Sequence, residues 1–316
     1  MGSISKLTAI NNKKPKKMAL PIIKCPGCGE EIFPINGMIK TTTSYEVCLR
    51  RCEKCEIGFS NSESNPTIIY KDYKKNVPEL LREDLDSSLN NSINQTNRTN
   101  KKIKFGFSTS EDALTWSFFK YFVEKNKLSE LLEILDIKSN NATIDIYLWG
   151  TNICKTSDDS NFIYKFLEVS DSFNEDLTSR TEPDVIIKLE NKLVFIEVKY
   201  FSKNETKINN IIFLKYKVTD VDINEVIKSE HYELFRNWAF ASQLSNGGKF
   251  ELINLAPQKL FCDANSNKLS QFENSLKSKR GTFRKLSWED ILEKVNGKEN
   301  DSWFKQYLNE KISACH

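Results

Sequence analysis

The sequence predicts an α/β fold, with helices flanking a mixed central sheet, preceded by a small cysteine-rich module. Three observations predict it. Beyond residue 105, helical and strand-like hydrophobic periods alternate along the chain. Two Cys-x-x-Cys pairs crowd into residues 25–55. A polar stretch ending in SSLNNSINQTNRTNKK separates the two regions.

The elements follow in chain order. Residues 1–20 carry Lys13, Lys14, Lys16 and Lys17 around Pro15 and read as a flexible basic arm. Residues 21–60 hold the cysteine pairs. Residues 61–104 read as a polar linker that can bury little apolar surface, with NPTIIYKDY as a short strand at its start. Residues 105–316 form the main domain. In it, Leu114, Phe118, Tyr121 and Phe122 recur at helical spacing. ATIDIYLWG is a strand, and EPDVIIKLE and NKLVFIEVKY are two more, joined as a hairpin across Glu190-Asn191-Lys192. Helical periodicity runs through INEVIKSEHYELFRNWAFASQLSNGG, with Leu234, Trp238 and Ala241 on one face and Gly247 and Gly248 as the stop. KFELINLAP is a strand, SNKLSQFENSLKSK a helix, GTFRKLSW a strand and EDILEKV a closing helix.

The 316 residues suffice for one or two domains with a sizeable core. No apolar run is long enough to span a membrane, and the first residues lack the apolar stretch of a signal peptide, so a cytoplasmic protein without a membrane partner is expected. The net charge of +3, from 46 basic and 43 acidic residues, neither demands nor excludes nucleic acid. Such binding needs a local basic patch rather than a basic whole.

On the second hairpin strand Phe195, Glu197 and Lys199 share a side, because strand side chains repeat every two residues. An acid and a base on an otherwise apolar face are costly unless paired or used. Asp184 opens the preceding strand directly after Pro183 and can meet Glu197 at the mouth of the hairpin. A divalent cation relieves the repulsion of two close carboxylates, and hard oxygen donors suit magnesium or manganese. Lys199 can orient an attacking water or stabilise a transition state. The bland alternative is a structural acid–lysine pair.

EPDVIIKLENKLVFIEVKY resembles the signature of the PD-(D/E)xK, or restriction-endonuclease-like, superfamily: Pro183-Asp184 is similar to one half, Glu197-Val198-Lys199 to the other. The resemblance implies a restriction-endonuclease-like mixed sheet over roughly 105–296 and magnesium-dependent phosphodiester cleavage. It implies Mg2+ or Mn2+ held by Asp184, Glu197 and the Val198 backbone carbonyl, with Lys199 beside the water. Glu111 is similar to the acidic residue such proteins carry on their first core helix. Glu111 also fits a capping box with Ser108 as N-cap, and the two roles are compatible. Glu182 is a candidate for a second metal. Lys277, Lys279, Arg280, Arg284 and Lys285 form a basic run suited to a DNA backbone or to a solvated face, and Arg236 and Gln243 share a helix face after the hairpin.

Cys25-Pro26-Gly27-Cys28 and Cys52-Glu53-Lys54-Cys55 are two knuckle-like pairs. Four thiolates at this spacing predict one structural Zn2+, with iron as the rival, and the region resembles a zinc ribbon. Cys48 lacks the paired spacing and reads as a spare thiol. Lys24, Arg50, Arg51 and Lys54 flank the knuckles and can contact DNA phosphates. Cys154, Cys262, Cys315, His231 and His316 are too scattered for a second site.

Two classes of function follow: a DNA endonuclease of restriction or defence type, or a zinc-ribbon nucleic-acid-binding protein on an inactive nuclease-like scaffold. RNA or repair-intermediate cleavage uses the same chemistry, and a homodimer is the expected state where both duplex strands are cut.

Overall fold

The computed structural model describes residues 20–139, 143–154 and 160–314, with only the backbone of Ser160 and residues 263–265. The arm expected at 1–20 lies, Leu20 apart, outside the described residues, as do Cys315 and His316. The chain divides into two compact units at Lys71/Asp72.

In the first unit β1 (Ile23–Lys24) pairs antiparallel with β2 (Glu31–Ile32), and β3 (Arg50–Cys52), β4 (Ile57–Phe59) and β5 (Ile68–Tyr70) form an antiparallel sheet. Its core is small: Ile32, Ile57 and Phe59 pack around Cys25 and Cys52. A core of that size leaves much of the stability to a cross-link or metal. Arg50 is fully buried, and its guanidinium donates to the carbonyls of Pro21, Ser60 and Ser62, tying three strand ends together.

The second unit begins with α1 (Leu85–Asn90) and α2 (Arg98–Phe105), then α3 (Glu111–Glu124) and α4 (Leu128–Ile134). It continues through β6 (Ile144–Leu148), β7 (Thr151–Asn152), α5 (Ser160–Ser172), β8 (Val185–Leu189), β9 (Lys192–Val198), α6 (Ile223–Ser229) and α7 (Tyr232–Leu244). It ends with β10 (Lys249–Ala256), α8 (Asp263–Ser275), β11 (Gly281–Ser287), α9 (Trp288–Lys298) and α10 (Ser302–Ser313). The mixed six-stranded sheet runs β11-β10-β9-β8-β6-β7. β6, β8 and β9 pair antiparallel; β9, β10 and β11 pair parallel. Alternation along each strand splits the core into two faces. Val185, Ile187, Val194, Ile196, Ile253 and Leu255 pack with residues of α3, α4, α9 and α10. Ile186, Phe195 and Leu252 pack with residues of α6, α7 and α8.

Several expectations need correction. Residues 61–104, expected as a linker, are folded: Ile68–Tyr70 is a sheet strand of the first unit, and Leu81, Leu85 and Leu89 are buried in the second unit's core. Val77 and the three leucines supply the apolar contacts, and the polar residues buried with them are hydrogen-bonded: Asn76 donates to Phe105 O and Phe107 O, and Ser92 to Leu89 O. The helix expected across 223–248 breaks at Glu230, whose left-handed backbone (φ 60°) ends α6 before α7 starts. α9 does not close the domain, because α10 follows with Phe304, Leu308 and Ile312 buried one turn apart. The capping box at Ser108 is not formed. The N-cap of α3 is Ser110, whose hydroxyl accepts from Ala113 N at 3.2 Å, and Glu111 is the first helical residue. The capping box falls instead on Ser287 and Asp290 of α9.

Candidate functional site

The β8–β9 hairpin sets the geometry. Val185 pairs with Ile196, and continuing that register by one residue puts Asp184 opposite Glu197 on one side of the sheet. Asp184 Oδ2 accepts a hydrogen bond from Val198 N at 2.8 Å, which pins the start of one strand to the end of the other. Lys199 follows Glu197 on the same side, and its Nζ donates to Glu197 Oε1 at 2.6 Å. Glu111 reaches the same end of β9 from α3: its Oε2 accepts from Tyr200 N at 2.8 Å and from Ser202 Oγ at 2.7 Å. The first turn of α3 therefore uses its acid to hold the chain just past β9 rather than to cap itself.

Three further residues join them that the sequence reading did not name. Glu233 Oε2 accepts from Lys199 Nζ at 2.7 Å, and Asn237 Nδ2 donates to Glu197 Oε2 at 2.6 Å. Both lie on α7, one turn apart. Asn254 of β10 donates to the Glu197 carbonyl at 3.5 Å. The available signal was an Asn inside the apolar stripe of Leu234, Trp238 and Ala241, where a buried amide needs partners. Asn237 is fully buried, and its Oδ1 has no hydrogen-bond partner.

The electrostatics follow from crowding. Burial, and then the charges of Glu197 and Glu111, push the Asp184 carboxyl well above its ordinary value. Burial raises Glu197 as well, against the pull of Lys199. Burial raises Glu111 to about 7, again outweighing Lys199. Burial disfavours the Lys199 ammonium, but Glu197, Glu111 and Glu233 outweigh it and hold its pKa well above the usual lysine value. Glu233 is half-buried, and against that desolvation Lys199 holds it below the carboxylate norm. Lys199 thus faces four carboxylates, with Arg236 adding its charge at Glu197 and Glu233, and three of the four are held toward their neutral forms.

The other sequence candidates fall elsewhere. Glu182 is engaged elsewhere in the chain: one oxygen accepts from Asn94 N at 2.8 Å and the other pairs with Lys101. Arg236 lies over the Tyr232 ring, 5.4 Å from its centroid, within the field of Glu197; Gln243 is exposed. His231 is a core residue bonded to Ser229 O at 2.6 Å.

In the first unit the four predicted thiols converge. The sulfurs of Cys25, Cys28, Cys52 and Cys55 all lie within 4.8 Å of one another, the only such group of metal-ligating side chains among the described residues. Cys28 Sγ and Cys52 Sγ are 3.6 Å apart, against roughly 3.8 Å for two thiolates on a tetrahedral ion with bonds of about 2.3 Å. A Cβ on Gly27 would stand 2.9 Å from Cys55 Sγ, so the knuckle requires glycine there. Burial raises the Cys25 thiol, but the N–H groups of Cys28 and Gly27 outweigh it and bring it down to about 7. Burial and the neighbouring sulfurs push Cys55 up to about 12. These four thiols can hold one metal ion. Cys48 stands apart, donating to Ser44 O. The flanking cations are largely spent: Arg50 inside the unit, Lys54 on Glu30 and Arg51 on Glu46 O and Glu53. Of the four, Lys24 and Lys54 are exposed, Lys54 in its surface pair with Glu30.

No helix among the described residues is long and apolar enough to cross a membrane. No curated protein matches the chain, and no solved structure does. The sheet with its acid-rich hairpin nevertheless falls within a defined family: residues 60–311 match the one described as "Restriction Endonuclease associating with ARP", and the chain belongs to it.

Proposed function

We propose that this protein hydrolyses phosphodiester bonds in DNA with a divalent cation, magnesium or manganese, bound by Asp184, Glu197 and the Val198 carbonyl with Glu111 beside them. The observation that carries this reading is the meeting of Asp184 and Glu197 at the open end of the hairpin, with Lys199 next on the same side. The donors fit such an ion. They are all oxygens, and burial and mutual repulsion raise three carboxylates that a shared cation would stabilise in ionised form. When bound, the ion supplies charge to a phosphoryl oxygen and acidity to a water.

The chain's own residues do the rest. Lys199, held charged between Glu197 and Glu233, puts a fixed ammonium where negative charge grows on phosphorus. Asn237 fixes the second oxygen of Glu197, and Glu111 steadies the turn after β9 through Tyr200 N. In the same reading, the first unit is a zinc module, with zinc preferred to iron for a closed set of four thiols.

A second reading has one observation in its favour: both oxygens of Glu197 are already satisfied by Lys199 and Asn237. That suits an inactive nuclease-like scaffold joined to a nucleic-acid-binding module. Incubation with plasmid, single-stranded DNA and RNA, with and without Mg2+, separates the readings. The nuclease reading expects Mg2+-dependent DNA cleavage that Lys199→Ala lowers by roughly 10²–10³-fold or more while sparing ion binding. Asp184→Asn should weaken both. Nucleic-acid binding without cleavage under any divalent ion would leave the scaffold reading in its place, and RNA-only cleavage would correct the substrate.

A further inference from the structure

The basic run at 277–285 does not act as one patch. Arg284 pairs with Glu251 and donates to Leu135 O, and Lys285 pairs with Glu273. The other three, Lys277, Lys279 and Arg280, meet Lys217 around a cavity of about 460 Å3. Among the described residues none of these four cations forms an ion pair. The cavity lies where β10 and β11 begin, whereas Glu197 and Lys199 lie where β9 ends. At about 3.3 Å per residue along β10, the start of the strand is roughly 17 Å from the level of Glu197 and roughly 23 Å from that of Lys199. It is therefore a separate site.

A bland explanation exists, and its size can be judged. α7 and α8 both end here, and basic residues gather at helix C-termini: Lys277 Nζ donates to Asn274 O and Arg280 to Gly248 O and Ser245 Oγ. Each helix end carries roughly half a negative charge. With Asp220, the negative charge comes to about two against four cations, leaving a surplus of about two, the charge of a phosphomonoester near neutral pH. Helix capping alone does not account for that surplus.

The wall also says what else the ligand carries. Asp220 Oδ1 is shut away from solvent and has no hydrogen-bond partner. An orphaned carboxylate oxygen calls for a donor, which the dianionic phosphate of a phosphomonoester lacks and a sugar hydroxyl supplies. Hydroxyls of Thr219, Ser242 and Ser278 line the cavity, and no aromatic side chain does, so there is no platform for a base. We propose that this cavity binds a sugar phosphate or the ribose-phosphate end of a nucleotide, its phosphate on the lysines and arginine and a hydroxyl on Asp220. A cavity of this size takes one such unit, so a passing DNA strand is the less suitable occupant.

Titration calorimetry on the full chain tests it, with ribose 5-phosphate, inorganic phosphate, ribose and a single-stranded oligonucleotide as probes. Ribose 5-phosphate should bind saturably and more tightly than phosphate or ribose. Lys217→Glu combined with Lys279→Glu, both at exposed positions, should weaken it by at least about tenfold. Asp220→Asn should narrow the preference over phosphate. Lys199→Ala should leave binding unchanged, so failure here and failure of the nuclease reading are distinguishable. The idea is overturned by absent binding, by binding indifferent to charge reversal, by phosphate binding as well as ribose 5-phosphate, or by the oligonucleotide alone binding in a Lys217- and Lys279-dependent way.

Discussion

Four thiol sulfurs crowd within 4.8 Å of one another in the first unit with little else to hold them, whereas each carboxylate at the hairpin mouth is held by donors of the chain itself. Val198 N holds Asp184, Lys199 and Asn237 hold Glu197, and Tyr200 N holds Glu111. The cores differ in the same sense: a handful of residues around Cys25 and Cys52 against two large layers around the sheet. The difference teaches which site depends on an ion to exist. The thiol unit, with its small core, is the one expected to need an ion to fold, whereas the carboxylates at the hairpin have partners within the chain.

The most severe way to break this comparison is to remove the thiol ligands. Cys25→Ser or Cys52→Ser, or a strong chelator, should unfold residues 21–71 while the second unit stays folded, because zinc contributes on the order of 10 kcal/mol to folding such modules. Hydrogen exchange by segment measures it, and elemental analysis should return one zinc per chain. Equal loss of protection in both units would end the comparison.

A smaller effect is expected at Arg50. Arg50→Met leaves the carbonyls of Pro21, Ser60 and Ser62 without their donor, at about 1–3 kcal/mol for each group that water cannot reach. The first unit should then lose zinc at lower chelator concentration than wild type.

The carboxylate site should show its self-sufficiency as a pH dependence. The folded pKa of Glu111 is raised to about 7 from 4.5, so its protonated form is the one the fold favours. Stability from this group is fully present below about pH 4.5 and is lost as pH rises through 7, at up to about 1.4 kcal/mol per pH unit. Metal-free wild type should therefore lose stability relative to Glu111→Gln across that window in urea unfolding, and Mg2+ should offset the loss at its upper end. A flat difference would mean that Glu111 is not crowded by the other carboxylates.

The smallest effect separates two readings of one helix start. Ser110→Ala should cost α3 about 1 kcal/mol, more than Ser108→Ala, since Ser110 is the N-cap. Thermal unfolding of the two variants gives the order. The reverse order would restore the capping box first expected at Ser108 and free Glu111 from its tie to Tyr200.

The sequence by itself determined what depends on local spacing. Period-two alternation over 185–189 and 192–198 with a short turn gave the hairpin, and therefore which side Glu197 and Lys199 share. Two Cys-x-x-Cys pairs marked the thiols that converge. Periodicity placed the faces of α3 and α7, and it is present in Phe304, Leu308 and Ile312 of α10, beyond the EDILEKV helix expected to close the domain. Tertiary structure decided what depends on segments distant in the chain. Parallel insertion of β10 beside β9 brings Asn254 to Glu197. Packing of α7 on the sheet aims Glu233 at Lys199 and Asn237 at Glu197. Burial of Leu81, Leu85 and Leu89 turns a polar stretch into part of the core. The basic run divides between ion pairs and a cavity only because Glu251, Glu273 and Lys217 arrive from other elements. A side chain's facing is set by its own strand or helix, but its partner is set by which element packs opposite, and that choice is made by burial of the whole apolar surface at once.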